Sequence, residues 1–182
     1  MAARVRLYKT NGGFVDNLIC WRLESDFCHS TLEIDGVVYS ATFPKVLKAP
    51  PTDKDVAIPP RKGDVYDIHL TDDEATKAKA FCDSMLGTSY DVLAMLGWWF
   101  RIQWMQRPKN LYCFEYTYAA LAAAGIFPVS KRLVTGEQLL NDLFISKRVI
   151  YGNLAEQMTC HEVSQQQKAP LRCKPPTIVA EK

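Results

Sequence analysis

The stretch that decides the fold is His29-Ser30-Thr31-Leu32-Glu33-Ile34-Asp35-Gly36-Val37-Val38-Tyr39-Ser40-Ala41. Its Asp35-Gly36 step separates two runs rich in β-forming residues, which predicts a two-residue hairpin with a type I′ turn. Counting outward from the turn pairs position 34 with 37 and position 29 with 42. Opposed residues share a face of a sheet. The hairpin therefore predicts small hydroxyl side chains beside an imidazole, with His29, Thr31 and Glu33 on the same side as Val38, Ser40 and Thr42.

A cysteine stands where an alanine-rich helix is predicted to begin. Tyr112-Cys113-Phe114-Glu115-Tyr116 opens residues 113–124, and Gly125 is placed to end that helix. A thiolate nucleophile needs an electropositive helix end and a nearby imidazole. Cys113 and His29 are therefore the candidate nucleophile and base. The alternatives are core packing for the cysteine, which often behaves as a small hydrophobe, and a surface strand position for the histidine.

The remaining pattern predicts a mixture of strands and helices. Thr71 and Glu74 form a capping box that starts a helix ending near residue 86, with Gly87 at its stop position. Thr135 starts a last helix through residue 143. We further expect a buried strand over residues 18–23, a loop over 44–60, a strand over 64–70, a helical stretch over 90–98 and a final strand over 146–151.

Composition limits the classes of function. The chain has 182 residues, 48% of them apolar, which suits one folded domain with a sizeable core. A net charge of +2 without a basic run argues against a nucleic-acid partner. No run is long enough for a transmembrane segment. The N-terminus lacks the apolar core of a secretory signal, so we expect synthesis in the cytoplasm.

The chain divides into a folded part and a tail. Residues 1–151 are predicted to form one domain, and residues 152–182 are polar and contain prolines, which is typical of an extended tail. Such tails often order only against a protein partner. The six cysteines include no Cys-x-x-Cys pair, so we expect free thiols, no metal site and no cofactor.

Three blocks resemble the NlpC-type papain-like hydrolases. Residues 87–97, which begin Gly87-Thr-Ser-Tyr90, look like the segment before the nucleophile; residues 112–121 look like the nucleophile helix; and residues 29–41 look like the histidine strand with its partner. The histidine block precedes the cysteine block here, as in the circularly permuted, YiiX-like branch, to which lecithin–retinol acyltransferase-type enzymes are related. Phage-encoded proteins share this order. The resemblance covers roughly residues 14–145.

The resemblance implies a role for each matching residue. Cys113 would be the nucleophile, His29 its base, Ser40 the third polar residue, and Tyr90 a donor to the developing oxyanion beside the Cys113 backbone N–H. The family more often carries His, Asn, Gln or Glu where Ser40 stands. A serine can accept a bond from the imidazole but cannot stabilise imidazolium as a carboxylate does.

The implied fold class is α+β, a permuted papain-like arrangement in which an antiparallel sheet packs against a helix bundle that carries the nucleophile. Aromatic residues near the helix could line a groove for substrate, namely Trp98, Trp99 and Tyr116. The alternative for each is ordinary core packing.

Three functions follow as hypotheses. The first is a cysteine peptidase or amidase that cleaves a peptide or a peptidoglycan stem. The second is an acyltransferase or lipid amidase with the same chemistry, which the tryptophans favour. The third is a structural or interaction protein, such as a virion or tail component, that keeps the fold with a weakened site. The serine at the third position and the polar tail favour this last hypothesis.

Overall fold

The computed structural model describes residues 2–10, 13–53, 56, 63–91, 110–128 and 133–151. These residues form a mixed α+β structure with six strands and four helices. The strands are β1 (Ala2–Lys9), β2 (Phe27–Ile34), β3 (Val37–Ala41), β4 (Val46–Ala49), β5 (Gly63–His69) and β6 (Val149–Tyr151). The helices are α1 (Phe14–Leu23), α2 (Asp72–Ser84), α3 (Cys113–Ala123) and α4 (Gly136–Ile145).

The strands form one antiparallel sheet in the order β4-β3-β2-β1-β5-β6. The N-terminal strand β1 is thus central and carries the hairpin on one side and β5 on the other. Its residues alternate, with Ala3, Val5 and Leu7 buried in the core. Arg4 and Arg6 belong to the other face, where Arg4 pairs with Asp67 at 2.6 Å and Arg6 pairs with Glu33.

The hairpin has the predicted turn. Asp35 and Gly36 have φ values of 51° and 70°, the two positive angles that a type I′ turn requires. Ile34 pairs with Val37, as predicted, but the β2–β3 ladder extends only to the Leu32–Tyr39 pair. The predicted pairing of positions 29 and 42 is therefore wrong. Beyond residue 39, β3 continues to pair with β4 while it parts from β2.

Among the described residues, α1, α3 and α4 all contact β2 of the sheet, and α2 packs against α3. Tyr39 of β3 donates to Asp83 of α2 at 3.4 Å, and Ser30 of β2 bonds Thr117 of α3 at 3.0 Å through their hydroxyls. Nine consecutive residues of α3, from position 113 to 121, are buried. A helix that is buried around its whole circumference is central to the molecule. The fold therefore encloses the helix that begins at Cys113.

The helix boundaries follow the sequence signals closely. In α2 both bonds of the capping box form, since Thr71 Oγ1 accepts from the Glu74 N–H and Glu74 Oε2 accepts from the Thr71 N–H. In α4 the Thr135 hydroxyl accepts from the Gln138 N–H at 3.1 Å. Gly125 follows α3 with a φ of 81°. These predictions are confirmed, and so is a strand close to residues 64–70.

Two predictions of local structure are wrong. Residues 18–23 belong to α1 rather than to a strand, because a short apolar run fits either element and neighbouring structure decides. The interval 44–60 is not all loop, since residues 46–49 form β4 against β3. The expected helix over 90–98 falls mostly outside the described residues, and the tail over 152–182 lies wholly outside them.

Candidate active site

Cys113 is the first residue of α3, and its sulfur lies at the open end of that helix. Tyr112 is the N-cap residue with extended backbone, yet its side chain does not cap the helix, because its hydroxyl donates instead to the Val134 carbonyl at 2.7 Å. The first-turn N–H groups of a helix need partners and carry partial positive charge. The thiol is only 3% exposed and lies within the hydrophobic core, beside Tyr112 and Phe114.

Four donors surround the Cys113 sulfur. The Tyr90 hydroxyl donates to it at 4.0 Å, and the backbone N–H groups of Ser30, Phe114 and Cys113 also lower its pKa. Burial is the larger effect and raises the pKa of Cys113 to about 11. At neutral pH the resting group is therefore a thiol. The donors favour the thiolate form, but burial outweighs them.

The backbone N–H of Ser30 can approach the thiol because the β2–β3 ladder ends before this residue. In a two-residue hairpin the residues flanking the turn are hydrogen-bonded to each other, and alternate residues along the strand repeat that direction. Ser30 therefore directs its N–H towards the β3 side, two residues beyond the last pair of the ladder at Leu32 and Tyr39. The thiol occupies this released position, so the early hairpin and the cysteine helix meet at one backbone group.

His29 lies next to Ser30 in the chain and points to the other face of β2. Its Nε2 is 3.0 Å from the Ser40 hydroxyl, which confirms the predicted proximity of these two side chains. The Tyr8 ring packs against the imidazole with 5.3 Å between ring centroids. Burial lowers the pKa of His29 from 6.5 to about 4. The imidazole is therefore neutral at pH 7 and able to accept a proton.

The structure brings the four predicted residues together as two pairs. Tyr90 contacts Cys113, and Ser40 contacts His29. Among the described residues no hydrogen bond joins the thiol to the imidazole. The thiol does contact the backbone N–H of the residue that follows His29. A proton passing from sulfur to His29 therefore needs a rotation of the ring or an intervening water or substrate atom.

Tyr90 is anchored by the loop that precedes β4. Its N–H donates to the Pro44 carbonyl at 3.0 Å, and the neighbouring Ser89 forms a bridge with Lys45. Burial, followed by the nearby Cys113, holds the pKa of Tyr90 well above its usual value, so it remains a neutral donor. Glu115 also raises the pKa of Tyr90. Its Oε1 accepts from the Leu133 N–H at 2.6 Å.

The predicted substrate-binding residues are not all in a position to bind. Tyr116 is fully buried, its hydroxyl donates to the Cys82 carbonyl at 3.4 Å and its ring packs near Phe81, so it belongs to the core. The prediction that Tyr116 lines a groove is wrong, because the whole circumference of α3 is enclosed. Trp98 and Trp99 lie outside the described residues.

Two neighbours of the site were not predicted from the sequence. Tyr8 belongs to β1, whose alternation of Ala3, Val5 and Leu7 with Arg4, Arg6 and Tyr8 is a detectable strand signal. The Ser30 N–H is a backbone group, and no side-chain pattern reveals it. Both enter the site because β1, β2 and β3 are adjacent in the sheet.

The described residues contain four free thiols, Cys20, Cys28, Cys82 and Cys113, and in them no three His, Cys, Asp or Glu side chains are grouped to hold a metal ion. No helix within these ranges has the length and apolar character needed to cross a bilayer. Comparison of the chain with protein-family models and with curated proteins finds no match.

Proposed function

We propose that this protein is a cysteine hydrolase that cleaves an amide bond, with a peptide or peptidoglycan stem as substrate class and a permuted papain-like fold as framework. The observation that carries the proposal is the approach of two donors from distant parts of the chain, the Tyr90 hydroxyl and the Ser30 N–H, to the Cys113 sulfur. Cys82 provides the comparison, since it is also buried, near the end of α2, where the Tyr116 hydroxyl lowers its pKa. The N–H groups of Cys113 and Phe114 lie near this sulfur because of its place in the helix, so the Tyr90 hydroxyl and the Ser30 N–H are the donors that the fold adds to Cys113.

The proposed reaction begins with two neutral groups. The Cys113 thiol gives its proton to His29 through an intervening water or substrate atom as the sulfur attacks the carbonyl carbon, and the carbonyl oxygen becomes an oxyanion facing the Tyr90 hydroxyl and the Cys113 N–H. The carbon–nitrogen bond then breaks, and the amine leaves with the proton from His29. Water attacks the resulting thioester, which releases the carboxylic acid and restores the thiol.

Ser40 has a limited role in this scheme. His29 Nε2 lies 3.0 Å from the Ser40 oxygen, and in this scheme the oxygen accepts from Nε2–H, which selects the tautomer whose Nδ1 is the proton acceptor. Serine carries no charge, so it does not offset the positive charge of an imidazolium. We therefore expect slow turnover in which proton transfer to His29 is coupled to attack on the substrate.

The test compares the unmodified chain with Cys113→Ala and, as the matched control, Cys82→Ala. The probes are a peptidoglycan stem peptide, p-nitrophenyl acetate and p-nitrophenyl laurate. Product release is followed by chromatography or absorbance, and covalent adducts on the protein are detected by mass spectrometry. We expect Cys113→Ala to lower turnover at least 100-fold and Cys82→Ala to leave it within about twofold. Full turnover by the Cys113→Ala protein would remove this residue from the chemistry.

The acyl group found on Cys113 identifies the substrate class. A peptidyl adduct supports the amidase proposal. A lauroyl adduct, together with faster turnover of the laurate than of the acetate, would instead support the lipid amidase or acyltransferase alternative. That alternative uses the same thiol and imidazole, so only the acyl chain differs.

One observation favours a second candidate, an interaction protein that retains the fold with an unreactive site. Burial raises the pKa of Cys113 and lowers that of His29, so the two groups are not an ion pair at neutral pH. Binding of a stem peptide with equal affinity by the unmodified and Cys113→Ala chains, with no product and no adduct, would support this candidate over the hydrolase.

A further inference from the structure

The imidazole of His29 is held by one hydrogen bond and one ring contact. The bond from Nε2 to Ser40 fixes one atom of the ring, but a single bond leaves the ring free to turn about the line between the two atoms. The Tyr8 ring removes this freedom, because it packs against the imidazole at a centroid separation of 5.3 Å and an interplanar angle of 52°. A planar group in contact with a second ring keeps a defined tilt.

Tyr8 is itself fixed at three points. Its hydroxyl lies 3.2 Å from Oγ1 of Thr31, a residue that is 1% exposed, and its carbonyl accepts from the Cys28 thiol at 3.3 Å. Its backbone pairs directly with His29 across the β1–β2 ladder. Side chains paired across antiparallel strands stand on one face and touch.

An irregularity in the same ladder sets the place of this contact. Tyr8 pairs with His29, but the next residue, Lys9, pairs with Phe27, so Cys28 is the extra residue of a bulge. Bulges redirect neighbouring side chains and are frequent beside active sites. The bulge ends regular pairing next to His29, and the Cys28–Tyr8 bond holds the two strands together at that point.

We propose that Tyr8 is the positioning residue of His29: its ring, anchored by its hydroxyl on Thr31, fixes the plane of the imidazole and shields the side of the imidazole that it packs against from water while Nε2 stays on Ser40. The catalytic meaning of this role rests on the proposed hydrolase. The positioning itself does not, since it can be measured on the ring without any substrate.

Other charged groups near the ring have to be kept unchanged in a test. On this face, β1 contributes Arg6 and β2 contributes Glu33, which are paired with each other, while β3 contributes Ser40, which does not titrate in the relevant range. From α3 the nearest titratable group is the Cys113 thiol, which is neutral below a pH of about 11. Arg6 also hydrogen-bonds the Tyr8 side chain, so Tyr8→Phe and Tyr8→Leu both lose that contact and differ from each other only in the ring.

The experiment is an NMR titration of the His29 ring in the full chain, with His29→Gln used to assign its signals among the three histidines. Tyr8→Phe keeps the ring, Tyr8→Leu removes it, and Tyr66→Leu is the matched control on the helix-facing side of β5. We expect the pKa of His29 to stay near 4 in the Phe and control variants and to rise by at least one unit in Tyr8→Leu, because water then reaches the imidazole.

Two results would overturn the proposal. One is a Tyr8→Leu protein with a native amide spectrum and an unchanged pKa of His29. The other is a Tyr8→Phe protein that shifts as far as Tyr8→Leu, which would assign the effect to the hydroxyl rather than to the ring. If Tyr8→Leu does not fold, the nuclear Overhauser effect between the Tyr8 and His29 ring protons is measured in the unmodified chain. Its presence supports the ring contact, and its absence refutes it.

An activity readout links positioning to chemistry. With p-nitrophenyl acetate, Tyr8→Leu should lower kcat about tenfold with little change in KM, and Tyr8→Phe should restore most of the rate. If the Cys113→Ala protein is fully active, the hydrolase proposal is wrong. The NMR titration still tests the positioning role of Tyr8 independently, because it uses no substrate.

Discussion

Burial changes the protonation of His29 and Cys113 more than any partner does. His29 loses solvation and its pKa falls to about 4, while the same effect raises the pKa of Cys113 to about 11 despite four nearby donors. A thiolate–imidazolium pair is therefore not the resting state. The candidate site residues at positions 29, 40, 90 and 113 could be chosen from the sequence. Their protonation could not be predicted, because it depends on how deeply the folded chain buries them.

The depressed pKa of His29 predicts a loss of stability in acid. The unfolded chain binds a proton at this residue below pH 6.5, whereas the folded chain binds it only near pH 4. The free energy of unfolding should therefore decrease as the pH falls from 6.5 to 4, and His29 should account for up to about 3 kcal/mol of this decrease. Above pH 6.5 the contribution of His29 should no longer change with pH.

Urea unfolding between pH 4 and pH 8 measures this contribution. Other acid-titrating groups act in both proteins, so the informative quantity is the difference between the unmodified chain and His29→Gln. We expect that difference to change across pH 4–6.5 and to be constant above it. Parallel stability curves over the whole range would show that His29 is solvated in the folded protein.

At the scale of elements, local signals determined what the sequence could predict. The Asp35-Gly36 turn and the Thr71 capping box each specify a backbone geometry within four residues, and both are confirmed. The run at residues 18–23 carries no such signal, and it forms the second half of helix α1, in which Phe14 and Trp21 are exposed. Its apolar content alone could not distinguish a helix from a strand.

The turn gives a prediction about backbone conformation alone. A Cβ atom at Gly36 would meet no heavy atom within 4 Å, but the residue has a φ of 70°. Gly36→Ala should therefore destabilise the fold by about 1–2 kcal/mol through backbone strain. Asp35→Asn is the control, because asparagine tolerates positive φ, and should change stability by less than about 0.5 kcal/mol. The urea midpoints of the two variants measure both changes in stability. Equal destabilisation by Gly36→Ala and Asp35→Asn would mean that the turn geometry is not the cause.

At the scale of the whole molecule, the candidate site depends on contacts between residues far apart in sequence. The Ser30–Thr117 hydroxyl bond spans 87 positions and joins β2 to α3 one helical turn beyond Cys113. Sequence analysis predicted that the hairpin and the helix would meet, from their resemblance to a family. It could not predict the parting of β2 from β3 that admits the thiol, because this depends on how β3 pairs with β4.

A double-mutant cycle tests whether this bond couples the two elements. Ser30→Ala and Thr117→Val should each destabilise the fold by about 1–3 kcal/mol, since each leaves a buried hydroxyl without its partner. The double variant should be less destabilised than the sum, by about 1 kcal/mol. Urea unfolding of the four proteins gives the coupling energy, and additivity within about 0.3 kcal/mol would show that the bond does not tie β2 to α3.

The outer strands of the described sheet are short, four residues in β4 and three in β6, and β4 carries Lys48 between flanking prolines at positions 44 and 50. Strand addition by another chain needs a long row of unpaired backbone groups, and charges or prolines at the rim discourage it. Each rim offers such a chain only a few hydrogen bonds. Growth of fibrils by edge-to-edge stacking is therefore disfavoured for this fold, and self-association would have to proceed through side chains.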